Sequence, residues 1–364
     1  AGQLSFRGRD AIELARFRSF EEVVALLWDG APPAPWTLDD ESAAAIDSLA
    51  EVLGPDAPDA DRVAAVVTTL AARDPARDDR DPESVRRAGA SVFAGVLVEL
   101  YRRIPTVSLH GDAGVAERLW VALADDGAKP RPEQAAALNA ALILLADHEL
   151  AASTFAARVA ASAWAGPYRV ILAGLGPLGG SLHGGAGLAV EALLDEVIAG
   201  ADPVATLDAA LARGQVPGFG HRVYRDRDPR ADHLLDRLGL PTPDRGRPDP
   251  PPPESGRPGP PIARVRSTAR GGAPVRSTAP VVAALAGAAA LLDAAAERGL
   301  PAPNVDFALA ALVKAHGLRD GSSATIFTVA RIAGIVAHAL EEYEHRLRFR
   351  PRASYVGPTP PASA

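Results

Sequence analysis

The chain has 364 residues, 48% hydrophobic and 23% charged, which is enough to bury a sizeable core and to form two domains. A net charge of -7 argues against nucleic acid as a main partner, and the absence of cysteine excludes disulfides, thiolate metal sites and a cysteine nucleophile. Aromatic residues make up only 5% while alanine is abundant, which favours helices over sheets.

No secretory signal follows Ala1, and the first residue is not methionine, which leaves open whether a segment precedes it. The lack of cysteine fits a cytoplasmic protein. "SFEEVVALLWDG", over 19–30, predicts a helix with a serine cap, early acids and a closing glycine. Residues 84–103 and 133–164 carry apolar residues at helical spacing. The two halves of the second run are too apolar all round for surface helices, which assigns them to the core. "YRVILAG", over 168–174, is the best strand candidate. Helices are predicted over 186–199 and 324–348. The longest apolar runs, such as 281–292, fall short of the roughly 18 residues of a membrane span, so no membrane is expected as a partner.

One segment breaks the helical pattern. Ten of the 21 residues from Pro241 to Pro261 are proline, and "VRSTA" then occurs at 265–269 and again at 275–279. Proline removes amide donors and fixes φ, so an exposed, extended or disordered insertion is expected from about 241 to 280. A plain linker is the favoured reading, beside a proline-rich ligand for another protein.

"GLGPLGGSLHGGAG", over 174–187, contains a G-x-G-x-x-G. A dinucleotide fingerprint needs a preceding strand and a helix that opens at the glycines; here the strand candidate is short and ambiguous, Pro177 sits inside the loop, and the helix begins only after further glycines. The loop reads better as a mount for His183. A histidine near a helix N-terminus is favoured as a neutral imidazole, able to donate one hydrogen bond to an oxygen gaining charge. The motif alone fits a loop histidine without chemistry equally well.

"VPGFGHRVYRDRDPRADHLL", over 216–235, places His221 after a tight turn and then Arg222, Arg225, Arg227 and Arg230. Arginines bind carboxylates and phosphates in forked geometry, although most charge runs are simply solvated. "PNVDFALAALVKAHG" offers Asp306 before an apolar helix, as an N-cap or as a general base tuned by its surroundings. "ADHELAAST" sets Asp147, His148 and Glu149 inside an apolar helical pattern, costly unless the groups are paired or used. It is not an H-E-x-x-H zinc motif, and no metal is expected. Arg331 interrupts an apolar helix and needs an anion partner if buried. Arg350 lies near the C-terminus, where a surface arginine is the ordinary case.

In chain order these motifs resemble the citrate synthase family: H-E-x-x-A-S-T, G-P-L…H-G-G-A, G-F-G-H-R-V-Y-x-x-x-D-P-R-A, P-N-V-D-F, F-T-x-x-R-x-x-G-x-x-A-H and R-P-R-A-x-Y-x-G. The likeness runs from about residue 2 to 358, apart from the insertion. It implies a mainly α, two-domain helical fold, with a large domain of 1–183 and 317–364. A small domain of 184–316 would contain the insertion and close over the active site. It implies a homodimer that condenses acetyl-CoA with oxaloacetate, or a similar 2-oxo dicarboxylate, to give citrate and CoA. The coenzyme A thioester would be a co-substrate, with no permanently bound cofactor. Carried over by motif, Asp306 would be the base, His183 the donor to the thioester oxygen, and His221 the donor to the ketone. His148, Arg230 and Arg331 would hold oxaloacetate, with Arg350 contributed by the partner subunit, and Arg225 would face the CoA phosphates. Two alternatives stay open: a 2-methylcitrate synthase using propionyl-CoA or a relative using another 2-oxo acid, and a catalytically weak binding or regulatory homologue. The sequence departs from the family at Leu145, Ala151, Gly187 and Leu188, in four extra residues (179–182) before His183, and in the proline-rich run.

Overall fold

The computed structural model of the chain describes residues 2–30, 36–102, 113–214, 216–240, 279–354 and 356–357. The proline-rich segment therefore falls outside the described residues up to 278, and Ala279 and Pro280 already begin a helix.

Two short strands, β1 (Ser5–Phe6) and β2 (Arg9–Asp10), pair antiparallel at the N-terminus. The other regular elements among the described residues are helices. The first eight are α1 (Ala11–Phe17), α2 (Phe20–Leu27), α3 (Asp40–Asp47), α4 (Leu49–Val52), α5 (Asp59–Arg73), α6 (Pro82–Tyr101), α7 (Val115–Leu123) and α8 (Pro132–Leu145). They are followed by α9 (Ala152–Ser162), α10 (Pro167–Leu178), α11 (Ala186–Ile198), α12 (Pro203–Ala212), α13 (Pro229–Arg237), α14 (Ala279–Glu297), α15 (Val305–His316) and α16 (Ser322–His345). The fold is mainly α.

Local sequence explains many of the boundaries. Ser19 caps α2 by accepting from Glu22 N, while the Glu22 carboxylate accepts from Ser19 N, so two otherwise unpaired amides are satisfied. Proline opens α6, α8, α10, α12 and α13, where its missing N–H costs nothing. Helix α16 runs through the core with Ile326, Val329, Ile332 and Ile335 fully enclosed, and it packs on α6, α8, α9, α10, α11 and α15. Trp28 anchors α2 to it by donating Nε1–H to Ala333 O at 2.9 Å. Helices α11 to α15 pack on one another, and both α11 and α15 also touch α16.

Several expectations are corrected. Residues 168–174 are helical, inside α10, not a strand. Pro167 opens that helix, and Gly174 lets it approach α16 so closely that a Cβ there would lie 2.5 Å from Ile335 Cδ1. Pro177 belongs to the last turn of α10, so the loop begins only after Leu178. The pattern over 133–164 is broken at Asp147–Leu150, so those ionisable residues sit in a turn and not in a helix. Of α9, Phe155 and Val159 are exposed, so this half is not wholly core. The expectation that no apolar run is long enough for a membrane also fails. Pro280–Glu297 and Ser322–His345 pass on length and hydropathy, although the second is mostly buried by neighbouring helices.

Candidate active site

Asp228 is the joint of the site. It caps α13 by accepting from Arg230 N, and it holds the Arg230 guanidinium in a fork, Nε to Oδ1 at 2.9 Å and Nη2 to Oδ2 at 2.8 Å. Its Oδ2 also accepts the amide of Val305 at 3.0 Å, which draws the start of α15 to the start of α13. Both side chains are buried, and burial disfavours either charge alone. Each outweighs that cost for the other, holding Asp228 below the usual carboxylate range and Arg230 above the usual guanidinium range.

The turn before His221 is bonded to the segment before Asp306. Gly220 N donates to Ala302 O at 2.8 Å, Asn304 N donates to Gly218 O at 2.9 Å, and Asn304 Nδ2 donates to Gly220 O at 2.8 Å. Asn304 is also the cap of α15, accepting from Asp306 N at 3.0 Å. Asp306 is thus a first-turn residue and not the N-cap, which leaves its carboxylate for other work. Burial pushes its pKa up to about 6, with Arg230 and Arg331 opposing the rise and Asp228 assisting it.

The hydrogen position on His221 follows from its backbone. Nδ1 accepts the amides of Val223 at 3.0 Å and Tyr224 at 3.3 Å, so the hydrogen of the neutral ring sits on Nε2. Arg230 Nη2 lies 3.3 Å from that nitrogen. Two donors side by side suit an oxygen acceptor between them. Burial, with Arg230 adding to it, lowers the His221 pKa.

His148 stands edge-on to His221, with ring centroids 5.2 Å apart, and its Nε2 is 3.1 Å from Tyr224 Oη. Burial, then Arg230, His221 and Arg331, push its pKa down to about 3, so it is neutral. Glu149 beside it is exposed.

His183 occupies the turn between α10 and α11. Its Nε2 is 2.8 Å from Ser153 Oγ, and its ring meets Phe327 edge-on with centroids 5.5 Å apart. Its pKa falls to about 4 through burial and the Arg331 charge, so the ring is neutral.

Arg331 is fully buried. Its Nε donates to Leu145 O at 2.9 Å and its guanidinium lies over the Phe327 ring at 4.9 Å. Nη1 has no hydrogen-bond partner among the described residues. Burial pushes its pKa down to about 10. A buried cation with an unused donor is a site for an anion.

The structure thus brings His148, His183, His221, Arg230, Asp306 and Arg331 into one neighbourhood. Arg225 and Arg350 are exposed on the single chain, outside this cluster. The arginine run divides: Arg230 turns inward, Arg227 pairs with Asp232 at 2.8 Å, and Arg222 faces solvent. Sequence reasoning assigned no role to Ser153, Tyr224 or Phe327. All three lie in the motifs quoted above, Ser153 in A-S-T, Tyr224 in G-F-G-H-R-V-Y and Phe327 in F-T-x-x-R, and Tyr224 also stands three residues after His221 in the same turn. Of the departures, Leu145 is a core residue whose carbonyl holds Arg331, and Gly187 faces Ser323 Oγ, which a Cβ would meet at 2.6 Å.

A family model described as citrate synthase, C-terminal domain, matches residues 1–248 and 265–352. The unmatched interval, 249–264, is narrower than the insertion expected from composition. The chain is 31% identical to citrate synthase 2 of Bacillus subtilis, over 98% of its own length and 90% of the relative's. It is 32% identical to the citrate synthase of Haloferax volcanii, over 98% and 90%. A 2-methylcitrate synthase of Mycobacterium tuberculosis is 31% identical, over 97% and 84%. Among solved structures, a ternary complex of carboxymethyl coenzyme A and oxaloacetate with citrate synthase from Thermoplasma acidophilum is similar at a TM-score of 0.72 and 25% identity, covering 100% of this chain and 92% of that one. With the family model spanning most of its length and relatives above 30% identity along nearly all of it, the chain belongs to the citrate synthase family, enzymes of the acyltransferase type.

Proposed function

We propose that the chain condenses acetyl-CoA with oxaloacetate and releases citrate and CoA. The observation that carries this reading is Arg331, a buried guanidinium that forms no ion pair among the described residues and keeps a free Nη1 donor beside the Arg230–Asp228 pair and Asp306. A carboxylate of a small 2-oxo acid answers that unused donor.

In this mechanism Arg331, Arg230 and His148 hold the oxaloacetate carboxylates, and His221 Nε2–H donates to the ketone oxygen. Asp306 removes a proton from the acetyl methyl group. With Ser153 on Nε2, the neutral His183 ring donates from Nδ1 to the thioester oxygen as it gains charge. The enol carbon then attacks the polarised ketone, and hydrolysis of the resulting thioester frees citrate and CoA. A positioned base contributes about 10²–10⁴-fold and one preorganised oxyanion donor about 10²–10³-fold. Residues 184–316 would close over the substrates and exclude water. The working unit would be a homodimer, Arg350 reaching the partner's site and Arg225 facing the CoA phosphates.

Thiol release tests the reading. Acetyl-CoA with oxaloacetate is expected to release CoA well above background. A preference for propionyl-CoA would favour 2-methylcitrate formation, which the likeness to the M. tuberculosis enzyme keeps in view. No release with either thioester and any 2-oxo acid would leave a binding or regulatory homologue.

A further inference from the structure

Helix α16 meets the turn carrying His148 along one stripe. Arg331, Gly334 and His338 stand at i, i+3 and i+7 and share a face of the helix. Arg331 Nε donates to Leu145 O at 2.9 Å, Gly334 N donates to Ala146 O at 3.0 Å, and His338 Nε2 lies 3.2 Å from Asp147 Oδ1. The three contacts therefore take three successive residues, and the next residue is His148. The approach is so close that a Cβ on Gly334 would lie 2.5 Å from Ala146 O and 2.6 Å from Asp147 Oδ1. Beyond His148 the chain turns through Glu149 at φ 48°, a left-handed conformation that non-glycine residues seldom adopt. Such a turn persists only when its surroundings fix it.

We infer that His338 is a positioning residue: its Nε2–H, held on Asp147 Oδ1, sets the turn that delivers His148 to the 2-oxo acid. The hydrogen on Nε2 is present in both charge states of the ring. Arg158 Nη1 lies 2.8 Å from Nδ1 and can only donate, which in the neutral ring leaves the hydrogen on Nε2. Burial disfavours the charged ring, but the Asp147 and Glu341 carboxylates outweigh it and push the pKa up to about 9, and the charged ring carries hydrogen on both nitrogens. Arg158 is itself held by Glu341 at 2.9 Å and Glu342 at 2.8 Å, so α9 and α16 together brace the imidazole from behind. His338 acts through Asp147, and the inference rests on the proposed reading of His148 as an oxaloacetate ligand.

The test is steady-state thiol release for the wild type, His338→Ala, His338→Gln, Asp147→Ala and the double variant His338→Ala/Asp147→Ala. A glutamine amide can donate to Asp147 from about the position of Nε2. His338→Ala is expected to raise KM for oxaloacetate about tenfold, the size of one charge-assisted hydrogen bond, with kcat and KM for acetyl-CoA changed less than about threefold. His338→Gln should return KM to within about twofold of wild type, and the double variant should be no worse than either single one, as for two residues in one contact. A wild-type KM in His338→Ala, or additive losses in the double variant, would overturn the inference. If His338→Ala does not fold, His338→Gln near wild type with Asp147→Ala raised supports it, and the reverse order overturns it. An inactive wild type would instead overturn the functional reading, so the two failures are distinct.

Discussion

Asp306→Asn tests the base and its burial together. The carboxyl is raised from 3.8 to about 6, first by burial and then by Asp228, against the pull of Arg230 and Arg331. At 1.36 kcal/mol per pH unit this amounts to about 3 kcal/mol withheld from folding at neutral pH, an upper value because the side chain is not fully sealed from solvent. The sign follows from proton binding. Between pH 3.8 and about 6 the folded state holds this proton more tightly than the unfolded chain, so stability falls as pH rises through that window and stays reduced above it. Asparagine never ionises and escapes the penalty. Asp306→Asn should therefore be more stable than wild type at pH 7.5 by about 1–3 kcal/mol and keep only about half of that advantage at pH 5, read from urea unfolding at the two pH values. In thiol-release assays the same variant should lose about 10²–10⁴-fold in kcat, while wild-type kcat/KM should decline with unit slope below pH about 6. Near-normal turnover would refute the role as base. Equal stability of the two proteins at both pH values would refute the burial argument.

Two further predictions concern the arginines. Arg331→Met fills similar space without the charge, so KM for oxaloacetate should rise by about 10²-fold or more while urea stability holds or improves, because Arg331 forms no ion pair among the described residues. Loss of more than about 2 kcal/mol with KM unchanged would make Arg331 a structural residue. If Arg350 serves the partner's site, co-expressing Asp306→Asn with Arg350→Gln should restore activity that neither variant has alone, since one site in each mixed dimer combines an intact Asp306 with an intact Arg350. Absence of recovery in isolated mixed dimers would place Arg350 outside the site.

The helices were legible where a cap adjoins a periodic run, as at Ser19 with Glu22, or where apolar spacing is sustained, as over 84–103, which holds most of α6. The strand expected over 168–174 failed because Tyr, Val and Ile favour strands locally, whereas Pro167 opens a helix and Gly174 packs that helix against Ile335. The break at Asp147 was hidden for a related reason. What stops the helix is a set of contacts to α16, more than 180 residues later, and no local pattern announces them. The chemistry-bearing residues could be named from their motifs, but their convergence depends on Asp228. That carboxylate reads locally as an ordinary cap before Pro229, and only in three dimensions does it join α13 to the amide of Val305. Ser153 and Phe327 carry no sign of their partner, since each meets His183 across large sequence distance.

The charge pattern of the site inverts the usual order of protonation. A free histidine holds its proton more tightly than a free aspartate by between two and three pH units. Here His148 and His183 are pushed down to about 3 and about 4, while Asp306 is pushed up to about 6. The two buried arginines account for part of this. Their fixed positive charge makes a second cation nearby costly, so the imidazoles stay neutral, the form in which the proposed mechanism uses them as hydrogen-bond donors. Burial does the opposite to Asp306, lifting its basicity towards neutral pH, where a carboxylate is most useful as a proton acceptor. Of these three groups, only Asp306 changes charge near neutral pH. A site that must take one proton from carbon and stabilise the resulting oxygen charge needs that division: one base that titrates, and neutral donors that do not.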